Sequence, residues 1–149
     1  MIKTIAITSF GYGPMQEEGK PLLTVPQADI TLDLRRILPA ADDVELEGLT
    51  GLDGMVYERV LASTVTRGMA VQTAVGVHML MEDTDVTHLT IAVGSSDGRR
   101  RAVVVARHIQ TRLAQLSASD LYTVTVTHRD LGTDSRPRHD GTASGEAEA

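Results

Sequence analysis

The stretch TIAVGSSDGRRRAVVVARHI, Thr90 to Ile109, changes character twice along its length. It begins apolar and ends that run at Gly94. It then passes through Ser95, Ser96, Asp97 and Gly98 to three arginines, and resumes from Ala102 to Leu116 with Val105, Ile109, Leu113 and Leu116 on one stripe. A short apolar run closed by a turn reads as an interior strand. A stripe recurring every three or four residues reads as an amphipathic helix. Strand, tight loop and helix in that order are half of a βαβ unit, so the expected fold is α/β.

Outward from that stretch the same rules apply. Ile2 to Thr8 reads as a first strand, and Phe10 to Pro26, with three Gly and three Pro, as a long loop. In Ala28 to Leu34 the side chains Ile30, Leu32 and Leu34 alternate with Asp29, Thr31 and Asp33, the pattern of a second strand. Asp42 to Asp53 is an acidic connection. Helices are expected over Met55–Thr64 and Thr66–Met81. The second carries Met69, Val71, Val75, Val77 and Leu80 on most sides and is expected to be buried against the sheet. His88 to Val93 is the interior strand, and the alternation of Leu121 to His128 closes the sheet. Gly132 to Ala149 is polar and almost free of large apolar residues, so a disordered tail is expected there. The expectation is therefore one α/β domain over residues 1–131, with a mostly parallel or mixed central sheet of about four strands flanked by helices, followed by the tail 132–149.

Composition narrows the function classes. No cysteine is present, which excludes disulfides, thiolate catalysis and Cys-ligated zinc. The five histidines, at 78, 88, 108, 128 and 139, have no ligand spacing, so neither metal nor cofactor is expected. The opening MIKTIAITSF lacks the pattern of a secretory leader, and no apolar run approaches the length of a membrane span. A cytoplasmic location with no membrane partner is the expectation. The net charge is −6, yet residues 91–131 carry six basic against three acidic side chains. A local basic site in an acidic chain suits a small anionic ligand better than bulk nucleic acid.

That basic site is the loop itself. A strand end, a tight loop and a helix start aim backbone N–H groups and the positive helix end at one point. Arg99, Arg100 and Arg101 add donors matched to phosphate or carboxylate. Ser95 and Arg101 have the spacing of the C-x5-R phosphate loop, with a hydroxyl in the nucleophile's place and no evident base beside it. The G-x-x-x-x-G-K-[ST] pattern of a nucleotide-hydrolysing P-loop is missing. The candidate ligand-binding residues are Gly94, Ser95, Ser96, Asp97, Gly98, Arg99, Arg100 and Arg101, joined by Asp33 and Arg35, which share one face of the second strand. No catalytic residue is assigned. Asp53 reads as the N-cap of the helix starting near Met55, His78 and His108 as packing or surface residues, and the HRD at His128–Asp130 as a chance echo of a kinase loop.

Five short elements occur in one order: SFGYG (9–13), DLR (33–35), LTGLDG (49–54), the loop itself, and VTHRD (126–130). In that order they resemble the C-terminal domain of the RapZ family of RNase adapter proteins, over residues 1–131. The resemblance implies a phosphosugar-sensing, RNA-binding domain similar to part of a phosphofructokinase, which in full-length members follows an N-terminal P-loop domain. Arg101 keeps the family's arginine. Elsewhere in the loop, Ser95 stands for Cys, Ser96 for Thr, Asp97 for Gly, Arg100 for His and Ala102 for Ser. The strongly basic C-terminal end of the RNA-binding members is replaced by THRDLGTDSRPRHDG, which mixes both signs. The leading reading is thus a non-catalytic binding domain for a small phosphorylated or anionic metabolite, a phosphosugar or nucleotide-sugar, with a regulatory adapter role. Two alternatives stand beside it: an RNA-binding adapter acting through the basic loop, and a small hydrolase or transferase using Asp33 or Asp97 as base. Self-association as a homo-oligomer is left open.

Overall fold

The computed structural model describes residues 2–13, 24–38, 44–117 and 120–131. The expected tail 132–149 and most of the Gly/Pro loop lie outside the described residues. Four strands form one sheet: β1 (Lys3–Gly11), β2 (Ile30–Asp33), β3 (His88–Ser95) and β4 (Tyr122–His128). Their order is β2-β3-β1-β4 and every pairing is parallel, with Ile7 opposite Ile91 on one side and Val126 on the other. The sheet is therefore wholly parallel, and β3 and β1 are its interior strands. Helices α1 (Gly54–Leu61), α2 (Thr64–Asp83) and α3 (Arg101–Leu116) complete the fold, with one 3-10 turn at Val44–Leu46.

Strand alternation decides what the core contains. Ile5, Ile7, Leu89, Ile91, Val93 and Tyr122 point to one face and share a core with Ala102, Val105, Ala106, Ile109 and Leu113 of α3. The other face carries Thr4, Thr8, Thr31, Thr90, Thr123, Thr125 and Thr127, of which Thr4, Thr31, Thr123, Thr125 and Thr127 are exposed. Near the ends of β1 and β3 this second face is covered by Phe10, Tyr12 and Ala28 packed on Ala92.

Two readings shift in detail. β1 runs on to Gly11 and β3 to Ser95, because each continues pairing with the other to Gly11 opposite Ser95. α2 buries one stripe, Thr66, Ala70, Ala74, Val77 and Met81, rather than most of its surface; Met79 stays exposed. Its small residues meet α3, and α3, buried along Arg101–Ala106, is the helix pressed hardest into the core. α1 closes a smaller core of Val56, Val60 and Leu61 with Leu46 and Val104.

Candidate functional site

In a parallel sheet every strand ends on the same side, and that side is where open α/β folds place their ligands. Here it brings together Ser9–Gly11, Asp33, Gly94–Ser95 and His128. The loop after β3 is threaded between its neighbours. Leu34 donates its N–H to the Gly94 carbonyl at 2.8 Å, Tyr12 to Ser95 at 3.0 Å and Gly13 to Ser96 at 3.0 Å. The Ser95 hydroxyl is fully buried and accepts the Gly98 N–H at 3.1 Å. Asp97 accepts the Arg99 N–H at 3.0 Å, closing a turn. Gly98 has φ of 70°, and a Cβ there would lie 2.3 Å from the Gly11 nitrogen. A Cβ on Gly11 would in turn lie 2.6 Å from the Asp97 carbonyl group. Two glycines thus let loop and strand backbones touch. At Gly94 a Cβ would collide with the Phe10 and Tyr12 rings at 2.5 Å.

The three arginines face different surroundings. Arg101 is 8% exposed, and its Nη1 donates to the carbonyls of Leu34 at 3.1 Å and Leu38 at 3.0 Å. Its Nη2 reaches toward the Ser96 hydroxyl at 3.5 Å. This side chain therefore ties the exit of β2 to the loop after β3. Arg100 lies half-buried with Nε donating to the Leu49 carbonyl at 3.2 Å, and the Arg99 carbonyl accepts the Gly51 N–H at 2.7 Å. The LTGLDG segment is by these bonds docked against the loop. Arg107, about two turns further along α3, adds a 2.6 Å bond to the Gly51 carbonyl and stacks over the Tyr57 ring. Arg100 holds the N-cap position of α3, and its side chain makes no capping bond.

Asp33 and Arg35 meet, but in the turn leaving β2 rather than across a strand face. The Arg35 backbone N–H and Nε both donate to Asp33 Oδ1 at 3.0 Å, and Nη2 donates to Oδ2 at 2.7 Å. The guanidinium lies 3.7 Å from the Tyr12 ring centre. These bonds hold the Asp33 carboxyl below its ordinary pKa, while burial, then the Asp33 charge, pushes the Tyr12 hydroxyl up. Arg35 Nη1 is buried and has no hydrogen-bond partner among the described residues. A desolvated cationic donor in that state calls for an acceptor.

The HRD segment turns out to be structural, which sequence spacing did not reveal. His128 Nδ1 bonds the buried Ser9 hydroxyl at 2.7 Å. Burial, then the charge of Arg107, lowers the pKa of this imidazole. Arg129 donates its N–H to the Ser9 carbonyl at 2.9 Å and its Nη2 to the Gly11 carbonyl at 3.0 Å. Asp130 accepts the Gly11 N–H at 2.6 Å and pairs with Arg129. SFGYG and VTHRD are therefore one unit that clamps the end of β1 beside the loop. Their joint presence in the sequence was the available signal. His78 bonds the Tyr122 hydroxyl at 2.8 Å and His108 that of Tyr57 at 3.1 Å, both packing roles. Asp53 stands at the N-cap of α1, yet its carboxylate accepts the Thr50 N–H at 2.8 Å instead of a helical one. Among the described residues no group of three His, Asp or Glu side chains could hold a metal ion, and no helix is long and apolar enough to cross a membrane.

Comparison with known proteins covers almost all of the described chain. The RapZ C-terminal domain family matches residues 3–132. A nucleotide-binding protein of Moorella thermoacetica is 34% identical over 130 residues, covering 85% of this chain and 40% of that protein. One from Acidothermus cellulolyticus is 36% identical over 134 residues, covering 85% and 39%. One from a Parafrankia species is 37% identical over 132 residues, covering 85% and 40%. The chain thus spans about two fifths of the length of the curated relatives it matches. With its four parallel strands, its glycine-tight loop and this match over residues 3–132, the chain belongs to the RapZ C-terminal domain family.

Proposed function

We propose that this chain is a non-catalytic binding domain for a small phosphorylated metabolite, a phosphosugar or nucleotide-sugar, and that it acts as a regulatory adapter. The observation that carries this reading is the start of α3. A helix N-terminus carries partial positive charge, so arginines there oppose the dipole unless an anion lies between. Arg99, Arg100 and Arg101 occupy that position, with no capping bond from the N-cap side chain of Arg100, beyond the carboxyl end of an interior strand. Arg35 supports the same reading, since its buried Nη1 is suited to an oxyanion arriving between β2 and the loop. The candidate site is then the loop Gly94, Ser95, Ser96, Asp97, Gly98, Arg99, Arg100 and Arg101, in which buried Ser95 shapes the backbone through Gly98 and does not face the ligand, with Asp33 and Arg35 at its rim. Arg101 sets the distance between the two walls and offers Nη2 to the ligand, while Arg99 and Arg100 supply field.

The chemistry favours binding over turnover. Ser95 is sealed from solvent and its hydroxyl is engaged with Gly98. Asp33 is held ionised by three bonds from Arg35, which makes it a weak base. A thermal-shift panel of sugar phosphates, nucleotide-sugars and the matching unphosphorylated sugars tests the proposal. Stabilisation by the phosphorylated compounds alone is expected, because a ligand that binds only the folded state raises its melting temperature. Equal shifts with unphosphorylated sugars, or no shift with any compound, overturn it.

A further inference from the structure

Charge is unevenly spread over the helical side of the domain. The chain carries −6 overall, yet α3 has no carboxylate, α2 has none before Glu82, and α1 has only Glu58. Basic side chains gather there around one tyrosine. His108 Nδ1 bonds the Tyr57 hydroxyl at 3.1 Å, and the Arg107 guanidinium lies 4.4 Å from the centre of the same ring. Arg112 stands one turn beyond His108 on the same side of α3. Arg67 reaches in from the first turn of α2, its Nη1 donating to the Leu61 carbonyl at 2.7 Å. Burial, then the charges of Arg112 and Arg67, lowers the pKa of His108. Among the described residues no carboxylate, Glu58 included, forms an ion pair with Arg67, Arg107, His108 or Arg112.

Arg112 shows what the cluster is missing. Its Nη1 donates to Gln115 at 2.9 Å, while its Nε is buried and has no hydrogen-bond partner among the described residues. Nε and Nη2 make up the side-on edge of a guanidinium, two parallel donors that match two oxygens of one anion. Arg35 uses that same edge to hold the Asp33 carboxylate. For Arg112 the three helices supply no such acceptor. A desolvated donor on a charged group is costly until an acceptor meets it.

We propose that Arg112, Arg67 and His108 form a second anion site, which takes a phosphate group. Arg112 lies about 16 Å along the α3 axis from Arg101, so this site is separate from the loop after β3 and does not depend on it. Arg112 supplies the fork and Arg67 a further guanidinium donor. His108 completes the set: with Tyr57 donating to Nδ1, the neutral ring carries its proton on Nε2 and can donate it. Donors from two helices suit a tetrahedral phosphate, which accepts from several directions. An anion held there also reverses the field on His108. Two cations beside the ring keep it neutral, and a phosphate between them favours the imidazolium.

Histidine ring-proton NMR of the full chain tests this, with His108→Gln identifying the signal. The ring would be titrated in chloride and then in inorganic phosphate at equal ionic strength. His108 should take up its proton at higher pH in phosphate than in chloride. In chloride, Arg112→Gln should raise the His108 titration by removing a cation, and phosphate should then add nothing further. Arg112→Lys keeps the charge and loses the fork. Its His108 should titrate as in wild type in chloride, while half-saturation should need at least about tenfold more phosphate. Unchanged His78 and His88 signals show that each variant is folded. Glycerol 3-phosphate separates the two sources of the group: a response equal to that of inorganic phosphate assigns the site to monoesters, and none assigns it to the free ion. A His108 titration identical in chloride and phosphate, or a full phosphate response kept in Arg112→Gln, overturns the proposal.

Discussion

α2 and α3 start in opposite ways. Ser63 precedes α2 and its hydroxyl accepts the Thr66 N–H at 3.3 Å, so the helix closes its own first turn. α3 starts after Arg100, whose side chain makes no capping bond, and carries positive charge where the dipole favours negative. Both helices run back along the sheet, α2 ending beside Lys3 at the start of β1. α3 starts beyond the carboxyl end of β3, an interior strand, where the proposed anion site lies. The proposed site thus sits at the helix start whose N-cap residue makes no side-chain capping bond.

The sharpest way to break this contrast is to disturb the loop that sets up α3. Gly98→Ala places a Cβ in a left-handed conformation and against the Gly11 backbone, and should cost about 3 kcal/mol or more. Urea unfolding measures it, and a loss under about 1 kcal/mol would mean the loop is free to move off β1.

Next is Arg101→Ala. With a sugar phosphate that stabilises wild type, calorimetry should record a ten- to hundredfold loss of affinity, the worth of one charge-assisted bond at about 1.5–3 kcal/mol. Its lost bonds to Leu34 and Leu38 should also lower the melting temperature. Ser95→Ala should cost less affinity, since its buried hydroxyl acts only by holding the Gly98 N–H. Unchanged affinity in Arg101→Ala would reduce this arginine to a structural strut.

Ser63→Ala sharpens the comparison from the other side. Loss of the α2 cap should cost about 1 kcal/mol of stability and leave ligand affinity as it was. A change in affinity would mean the two helix starts are coupled.

The smallest effect is with pH. Burial lowers the pKa of both His128 and His108 in the folded state, so the unfolded chain takes up protons more readily once pH falls below the ordinary histidine value of about 6.5. Stability should be full above that value and decline on acidification through it. His128→Gln should flatten the decline in melting temperature between about pH 7.5 and about pH 5.5; an unaltered slope would place the titration elsewhere.

Much of this was legible in the chain. The switch from apolar run to Gly/Ser/Asp to amphipathic helix located β3, the loop and α3, because those periodicities are imposed by local backbone geometry. Strand pairing was less so: an open choice between parallel and mixed resolved to wholly parallel, since pairing partners are set at long range. The over-reading of α2 has the same origin. Its valines and methionines surround the helix in sequence, but α3 reaches only the side carrying Ala70 and Ala74. His128, Arg129 and Asp130 passed as a chance motif because their partners, Ser9 and Gly11, lie at the other end of the chain.

By itself the sequence determined the class of fold, the order of its elements, the basic loop and the family, all of which follow from composition, period and local motif. Tertiary structure alone decided that Arg101 spans two loops, that Arg35 folds back on Asp33 over Tyr12, that the HRD segment clamps β1, and that one sheet face is left to threonines. The physical reason is that a side chain's role depends on which acceptors and rings the closed chain places within about 3–4 Å of it, and such distances exist only once distant segments have met.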